Sequence, residues 1–138
     1  MGTAYPRRGA AKRQNRLVTP ADAATAIREL ALSWPETYED EPWGHPVFKV
    51  GANKMFAGMG EAHGAVRLTV KLTAEEREIA LLFPYVAVAQ YVGRYGWVTA
   101  TVTDEESLEA ALEWLRESYW LNAPAHLRAA VEEVESPP

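Results

Sequence analysis

The sequence predicts a two-layer α+β domain, an antiparallel β-sheet with helices packed on one face, in an α-β(3)-α-β(2)-α-like order. Three observations point there. The chain has 138 residues, 48% hydrophobic and 24% charged, the size and balance of one soluble domain that needs no cross-links. Its apolar residues switch repeatedly between helical spacing and strict alternation. The order of those stretches lacks the strand–helix–strand regularity of a parallel sheet, so helices cover one face and leave the other partly open.

Thr19-Pro20-Ala21-Asp22 opens the first helix with a hydroxyl cap, a proline in the first turn and an acid at the positive end of the dipole. Ala24, Ile27, Leu30, Ala31 and Trp34 share one stripe, and Pro35 stops it. Residues 47–50 and 54–59 read as strands joined by a Gly51-Ala52-Asn53 hairpin turn, and 61–64 as a second turn. Residues 65–72 alternate, Val66, Leu68, Val70 and Leu72 against Arg67, Thr69 and Lys71. Thr73 to Glu76 forms a capping box for a short helix whose inner residues are Ile79, Leu82 and Phe83, ended by Pro84. Residues 85–95 lack a period and read as loop with some strand. Gly96 to Val102 alternates, with Trp97, Thr99 and Thr101 on the polar side. Thr103 to Glu106 is a second capping box, for a helix bearing Leu108, Ala111, Leu112, Leu115 and Tyr119 on one stripe. Leu127, Ala130, Val131 and Val134 give a last short helix. The expected organisation is a basic arm at 1–18, the α+β domain at 19–124, and a helix with a frayed tail at 125–138.

Charge is unevenly placed. Residues 1–16 hold Arg7, Arg8, Lys12, Arg13 and Arg16 without one acid, whereas the other 122 residues hold 9 basic and 19 acidic side chains. An acidic body repels a phosphate backbone unless its cations are clustered. One local cluster exists: Lys49, Lys54, Arg67 and Lys71 face only Glu61 between residues 43 and 74. Cysteine is absent, which excludes disulfides, thiolate metal sites and thiol nucleophiles and fits a reducing cytoplasm. No apolar run is long enough to span a bilayer, and the basic start lacks the apolar region of a signal peptide. The expectation is a cytoplasmic protein with no membrane partner.

Enzyme motifs are missing. Gly58-Met59-Gly60-Glu61-Ala62-His63-Gly64 has the wrong glycine spacing for a dinucleotide loop, precedes a strand rather than a helix, and reads as a hairpin turn. There is no Walker A sequence, no nucleophile elbow and no His-Glu-x-x-His. No catalysis, cofactor or metal is expected. Two segments still draw notice. In Trp43-Gly44-His45-Pro46 the imidazole follows Glu39, Asp40 and Glu41, a run that reads as solvated, and a carboxylate there can orient His45. In Tyr91-Val92-Gly93-Arg94-Tyr95-Gly96-Trp97 three aromatics surround one arginine between two glycines. Such a set stacks on a base, grips a phosphate, anchors a partner or simply packs a turn.

Residues 41–50, Met55-Phe56-Ala57-Gly58, Leu68 to Leu72, Tyr91 to Val98 and Leu115 to Tyr119 together resemble the MmcQ/YjbR family of small bacterial proteins. The resemblance covers about residues 20–124. It implies a compact α+β fold of the frataxin and secretion-chaperone type, and binding of double-stranded DNA, weak and of low specificity, through a "double wing" of β-hairpins. Carried onto this chain, the wings are the hairpins around 47–59 and 65–71, with the 91–97 loop nearby. Lys49, Lys54, Arg67, Lys71 and Arg94 are then the phosphate-contacting candidates. Two alternatives stand beside DNA: a protein-interaction or chaperone-like adaptor using the open sheet face with Trp97 as anchor, and a binder of a small anionic ligand near Trp43, His45, Tyr91, Arg94 and Trp97.

Overall fold

A computed structural model of the chain describes residues 14–129. The arm cations Arg7, Arg8, Lys12 and Arg13, and the residues from Ala130 onward, lie outside the described residues. The elements are α1 (Pro20–Ala31), β1 (Thr37–Asp40), β2 (Val47–Val50), β3 (Lys54–Ala62), β4 (Ala65–Lys71), α2 (Ala74–Ala80), β5 (Val86–Val88), a 3₁₀ turn (Gly93–Tyr95), β6 (Trp97–Val102) and α3 (Glu105–Asn122). All six strands form one antiparallel sheet in the order β1-β2-β3-β4-β6-β5. The anticipated two layers hold, with α3 lying across β3, β4 and β6 and α1 packed against α3 on the same face.

Alternation decides which side each strand residue faces. Val66, Leu68 and Val70 of β4 and Val98, Ala100 and Val102 of β6 are buried beneath α3, joined by Ile27 and Ala31 from α1. Their neighbours Arg67, Thr69, Thr99 and Thr101 belong to the opposite, helix-free face. Between β2 and β3 the register slips: Phe48 pairs with Ala57 but Lys49 pairs with Met55, so Phe56 is an extra residue in β3. This bulge turns Phe56 towards the helices, where it meets Trp34 and Tyr119 edge-on at 6.1 and 5.3 Å while those two rings stack at 4.8 Å.

A buried hydroxyl secures the bulge. Ser118 Oγ on α3 donates to the Phe56 carbonyl at 2.6 Å and accepts from the Lys71 amide at 2.9 Å. Asn122 Nδ2 donates to the Ser118 carbonyl at 2.8 Å. Residue 119 ties down the chain after α1, because Tyr119 Oη donates to the Pro35 carbonyl at 3.1 Å.

Several expectations need correction. The acidic run 39–41 is exposed at Asp40 and Glu41, as expected, but it is not all loop. Residues 37–40 form edge strand β1, so four strands precede α2. The strand is hidden from a hydropathy reading because its charges are neutralised from afar: Arg28 Nε donates to Glu39 at 2.8 Å and Lys49 Nζ to Asp40 at 2.9 Å. In α2 only Ala80 is fully buried; Ile79 is exposed and Leu82 is 82% exposed, because a helix of seven residues has room for little more than one inward turn. The cap of α3 is Asp104, one residue later than expected. Asp104 accepts from the Ser107 amide at 2.8 Å, and Ser107 Oγ completes the box by accepting from the Asp104 amide at 3.2 Å. Packing on β3, β4 and β6 sets the buried stripe at Ser107, Ala110, Ala111, Trp114, Leu115, Ser118, Tyr119 and Asn122, leaving Leu108 and Leu112 partly covered. Within 85–95, residues 86–88 are the strand β5. Residues 15–18 also belong to the folded body: Asn15 bonds Asp104 and the Glu106 amide, and Val18 bonds the Thr103 carbonyl.

Burial works against the Asp104 carboxylate, but hydrogen bonds from the Ser107 side chain and backbone and from Asn15 outweigh it and hold its pKa below the usual range. A carboxylate whose pKa is lowered by folding stabilises the fold above its unfolded pKa and loses that contribution as pH falls through the folded one. Asp104→Ala is therefore expected to cost about 1 kcal/mol at neutral pH. The gap from wild type should close on acidification below the ordinary carboxylate range, as read by urea denaturation across pH. A gap that stays constant in acid contradicts the assignment.

Candidate functional site

The helix-free face is concave and forms an open groove of about 680 Å³. Its floor comes from the middle of the sheet: Gly58 and Gly60 of β3, Arg67 and Thr69 of β4, and Thr99 of β6. One wall is the β1–β2 loop with Trp43 and His45. The other is the segment Val88 to Val92 after β5 at the opposite edge. Val47 and Met55 add apolar surface on the β2 side. The bulge in β3 bends and twists that strand, which favours a hollow rather than flat face.

The two floor glycines keep the hollow deep. A Cβ at Gly58 or Gly60 meets nothing within 4 Å, so the space above them is open. Their register partners on the same face are Val47 and Thr69 for Gly58, and Arg67 for Gly60. Thr69 and Thr99, paired across β4 and β6, share a hydrogen bond of 2.8 Å between their hydroxyls. Arg67 is exposed, and among the described residues it makes no ion pair. Glu61 borders the groove, but it pairs with Val66 and so turns its side chain to the other face.

The rims are aromatic. Trp43 is 68% exposed and its ring lies 6.2 Å from that of His45. Gly44 follows at a φ of 86°, in the conformation that glycine favours, and Pro46 leads into β2. Tyr91 is 92% exposed and holds a φ of 68°, a left-handed backbone seldom adopted by a tyrosine. The next glycines have separate reasons. At Gly93 a Cβ would sit 2.2 Å from Val88 Cγ1, so close approach demands glycine. At Gly96 the φ of 95° does.

The expected site residues are divided by this geometry. Trp43, His45 and Tyr91 line the groove with Arg67, but Arg94 and Trp97 do not. Arg94 lies over the Tyr95 ring at 4.9 Å, and Trp97 is only 9% exposed, so it is no projecting anchor. The Trp97-Thr99-Thr101 side is likewise mostly covered rather than open. Lys49 is drawn into contacts with Asp40 and with Asn53 Oδ1 at 2.6 Å, which leaves its side chain 12% exposed. Lys54 is exposed beside the β2–β3 turn. Lys71 lies at the far end of β4, where a Cβ on Gly96 would be 3.8 Å from its Cγ and 3.0 Å from Arg77 Nη1, so Arg77 joins it. Among the described residues His45 forms no ion pair with a carboxylate, and Glu39 and Asp40 are engaged by Arg28 and Lys49. No group of metal-binding side chains occurs among the described residues.

The hairpins also differ from paired wings. The β2–β3 turn at 51–53 and the β3–β4 turn at 63–64 lie at opposite ends of β3, about 30 Å apart at ~3.3 Å per residue. The glycine-rich 58–64 segment is mainly strand, with its turn confined to His63 and Gly64. Gln90 and Arg77 were not singled out in the sequence, Gly58 and Gly60 were read there as part of a hairpin turn, and Thr69 and Thr99 only as polar-face neighbours of Arg67 and Trp97. Two glycines alternating within a strand are the one signal that pointed there, since they mark a place where something approaches the backbone.

A family model described as YjbR matches residues 32–121. The chain belongs to the YjbR family. Its fold is similar to a crystal structure of the Deinococcus radiodurans protein DR2400, a DUF419 domain, with 25% identity, a TM-score of 0.65, and coverage of 83% of this chain and 88% of that one. A Pseudomonas syringae protein shares the fold at 17% identity and a TM-score of 0.59, covering 72% of this chain and 97% of its own. No curated protein matches the chain. The YjbR match runs from the end of α1 through α3 and so contains the whole groove.

In this YjbR chain the wall after β5 depends on Gly93 accepting Val88. Gly93→Ala is expected to destabilise the fold by about 1–3 kcal/mol through overpacking. The double variant Gly93→Ala, Val88→Ala should recover most of the loss, because the nearest remaining atom is Val88 Cβ at an ordinary 3.6 Å. Denaturation of the two singles and the double reads the coupling; strictly additive losses contradict the contact.

Proposed function

We propose that this YjbR-family chain is a non-catalytic, cytoplasmic DNA-binding module that meets the phosphate backbone with the open face of its sheet. The observation that carries the reading is the separation of charge between the two faces. The acidic helix α3, with Glu105, Glu106, Glu109, Glu113 and Glu117 against Arg116, packs on one side of the sheet, and Arg67 and Lys71 emerge from β4 on the other. Duplex approaching the open face meets cations and stays shielded from the acids by the sheet itself. Arg67 is the principal contact, with Lys71 and Arg77 at one end of the face and Lys54 at the β2–β3 turn. Lys49 contributes little because Asp40 already neutralises it. Arg94, stacked on Tyr95, is peripheral.

Contacts of this kind give affinity without much sequence reading. The binding rather than catalytic reading is supported by the acids at 39 and 40, which are held in ion pairs away from His45. No described helix is long and apolar enough to cross a membrane. Fluorescence anisotropy of a labelled duplex over a series of salt concentrations tests the proposal. The logarithm of the binding constant should fall linearly with the logarithm of salt concentration, and Arg67→Ala should lower the slope by about one. Absence of binding at low salt, or an Arg67→Ala slope equal to wild type, rejects it.

A further inference from the structure

From the groove we infer a second binding capacity: it takes one nucleotide unit, a flat heteroaromatic ring carrying a phosphate. That unit is supplied either by a free mononucleotide or by an unstacked residue of a single strand. The inference shares Arg67 with the duplex reading above but stands on the cavity rather than on the charged face.

Size comes first. About 680 Å³ lies within the range of roughly 300–1,000 Å³ typical of small-molecule sites. The cavity joins apolar walls to a few convergent polar groups, as such sites do. Trp43 and Tyr91 offer rings at opposite rims, and Val47, Met55 and Val92 line the walls between them. That surface suits a planar ring better than a sugar or an inorganic ion. The deep floor over Gly58 and Gly60 provides the thickness.

Polarity then selects within flat ligands. Arg67 presents a guanidinium, the side chain whose fork matches phosphate oxygens, and the register keeps the Glu61 carboxylate on the other face. The Thr69–Thr99 hydroxyl pair and the Gln90 amide supply both donors and acceptors to the hydrogen-bonding edge of a base. A lipid tail would leave the Arg67 guanidinium and the Gln90 amide without partners. An extended peptide would need a free strand edge, yet the floor strands β2, β3, β4 and β6 are each paired on both sides. A stacked duplex cannot place a base in the hollow; only an unstacked one enters.

Isothermal titration with adenosine 5′-monophosphate, a single-stranded oligonucleotide and a duplex of the same sequence tests this on the full chain. The variants are Gly58→Val and Gly60→Val, which fill the hollow with strand-favouring side chains where a Cβ meets nothing. Both should keep the wild-type melting temperature or exceed it. Each should weaken the mononucleotide by about tenfold or more, the loss of a base stacking contact converted to affinity. Duplex affinity should fall by less than mononucleotide affinity, because a stacked duplex meets the face without placing a base in the hollow. A single strand that outbinds duplex, with the preference lost in the filled variants, assigns the unit to a strand. A mononucleotide response with no such preference assigns it to a free nucleotide. No heat from the mononucleotide in the millimolar range, or filled variants that bind it like wild type, overturns the inference even if duplex binds. Duplex that fails while the mononucleotide binds removes only the DNA proposal.

Discussion

The hydroxyl of Ser118 is the point from which the two faces of this protein are set. It bonds the carbonyl of the bulged residue Phe56 and takes the amide proton of Lys71 at the end of the neighbouring strand. The bond to Phe56 is buried and that to Lys71 half-buried, and a buried polar group left without a partner costs about 1–3 kcal/mol. One side chain thus fixes the depth and rotation of α3 against β3 and β4. The next residue, Tyr119, stacks on Trp34 and bonds Pro35, so the same turn of helix also places the exit from α1. Two adjacent residues of α3 determine how both helices seat on the sheet.

Consequences reach the opposite face through the bulge. An extra residue in β3 lets Phe56 and Ala57 both serve the core, and it brings Gly58 and Gly60 in step with Thr69 and Arg67 on the open side. Helices then occupy one face only, and their acidic surface is held away from the hollow. A concave, glycine-floored surface with a central arginine and aromatic rims is the result. Packing on one side and recognition on the other are two readings of one register.

Much of this fold was legible in the sequence, because periodicity reports burial directly. The alternation in 65–72 and 97–102, the Thr19 cap with Pro20, and the hairpin at 51–53 all appear in place. What failed depended on partners distant in sequence. Residues 37–40 look solvated until Arg28 and Lys49 arrive to cancel Glu39 and Asp40. Thr103 and Asp104 are both good caps; Asp104 bonds the local Ser107, and the distant Asn15 adds a second bond that favours it. The candidate site was half legible. Trp43, His45, Tyr91 and Arg67 stood out as residue types, but which arginine shares the groove depends on cross-strand register. That is why Arg94 drew attention from its aromatic neighbours while Arg67, without aromatic neighbours in sequence, holds the central position.

The Ser118 hydroxyl holds the bulge and, through it, the groove. Replacing it by alanine removes the hydroxyl with little change of volume, and urea denaturation joined to amide NMR of Ser118→Ala reads both ends of the link. The account predicts a stability loss of about 1–3 kcal/mol together with shifted amides at Gly58, Gly60 and Arg67 on the far face of the sheet. An unchanged midpoint, or a loss of stability with the open-face amides left where they were, would contradict it.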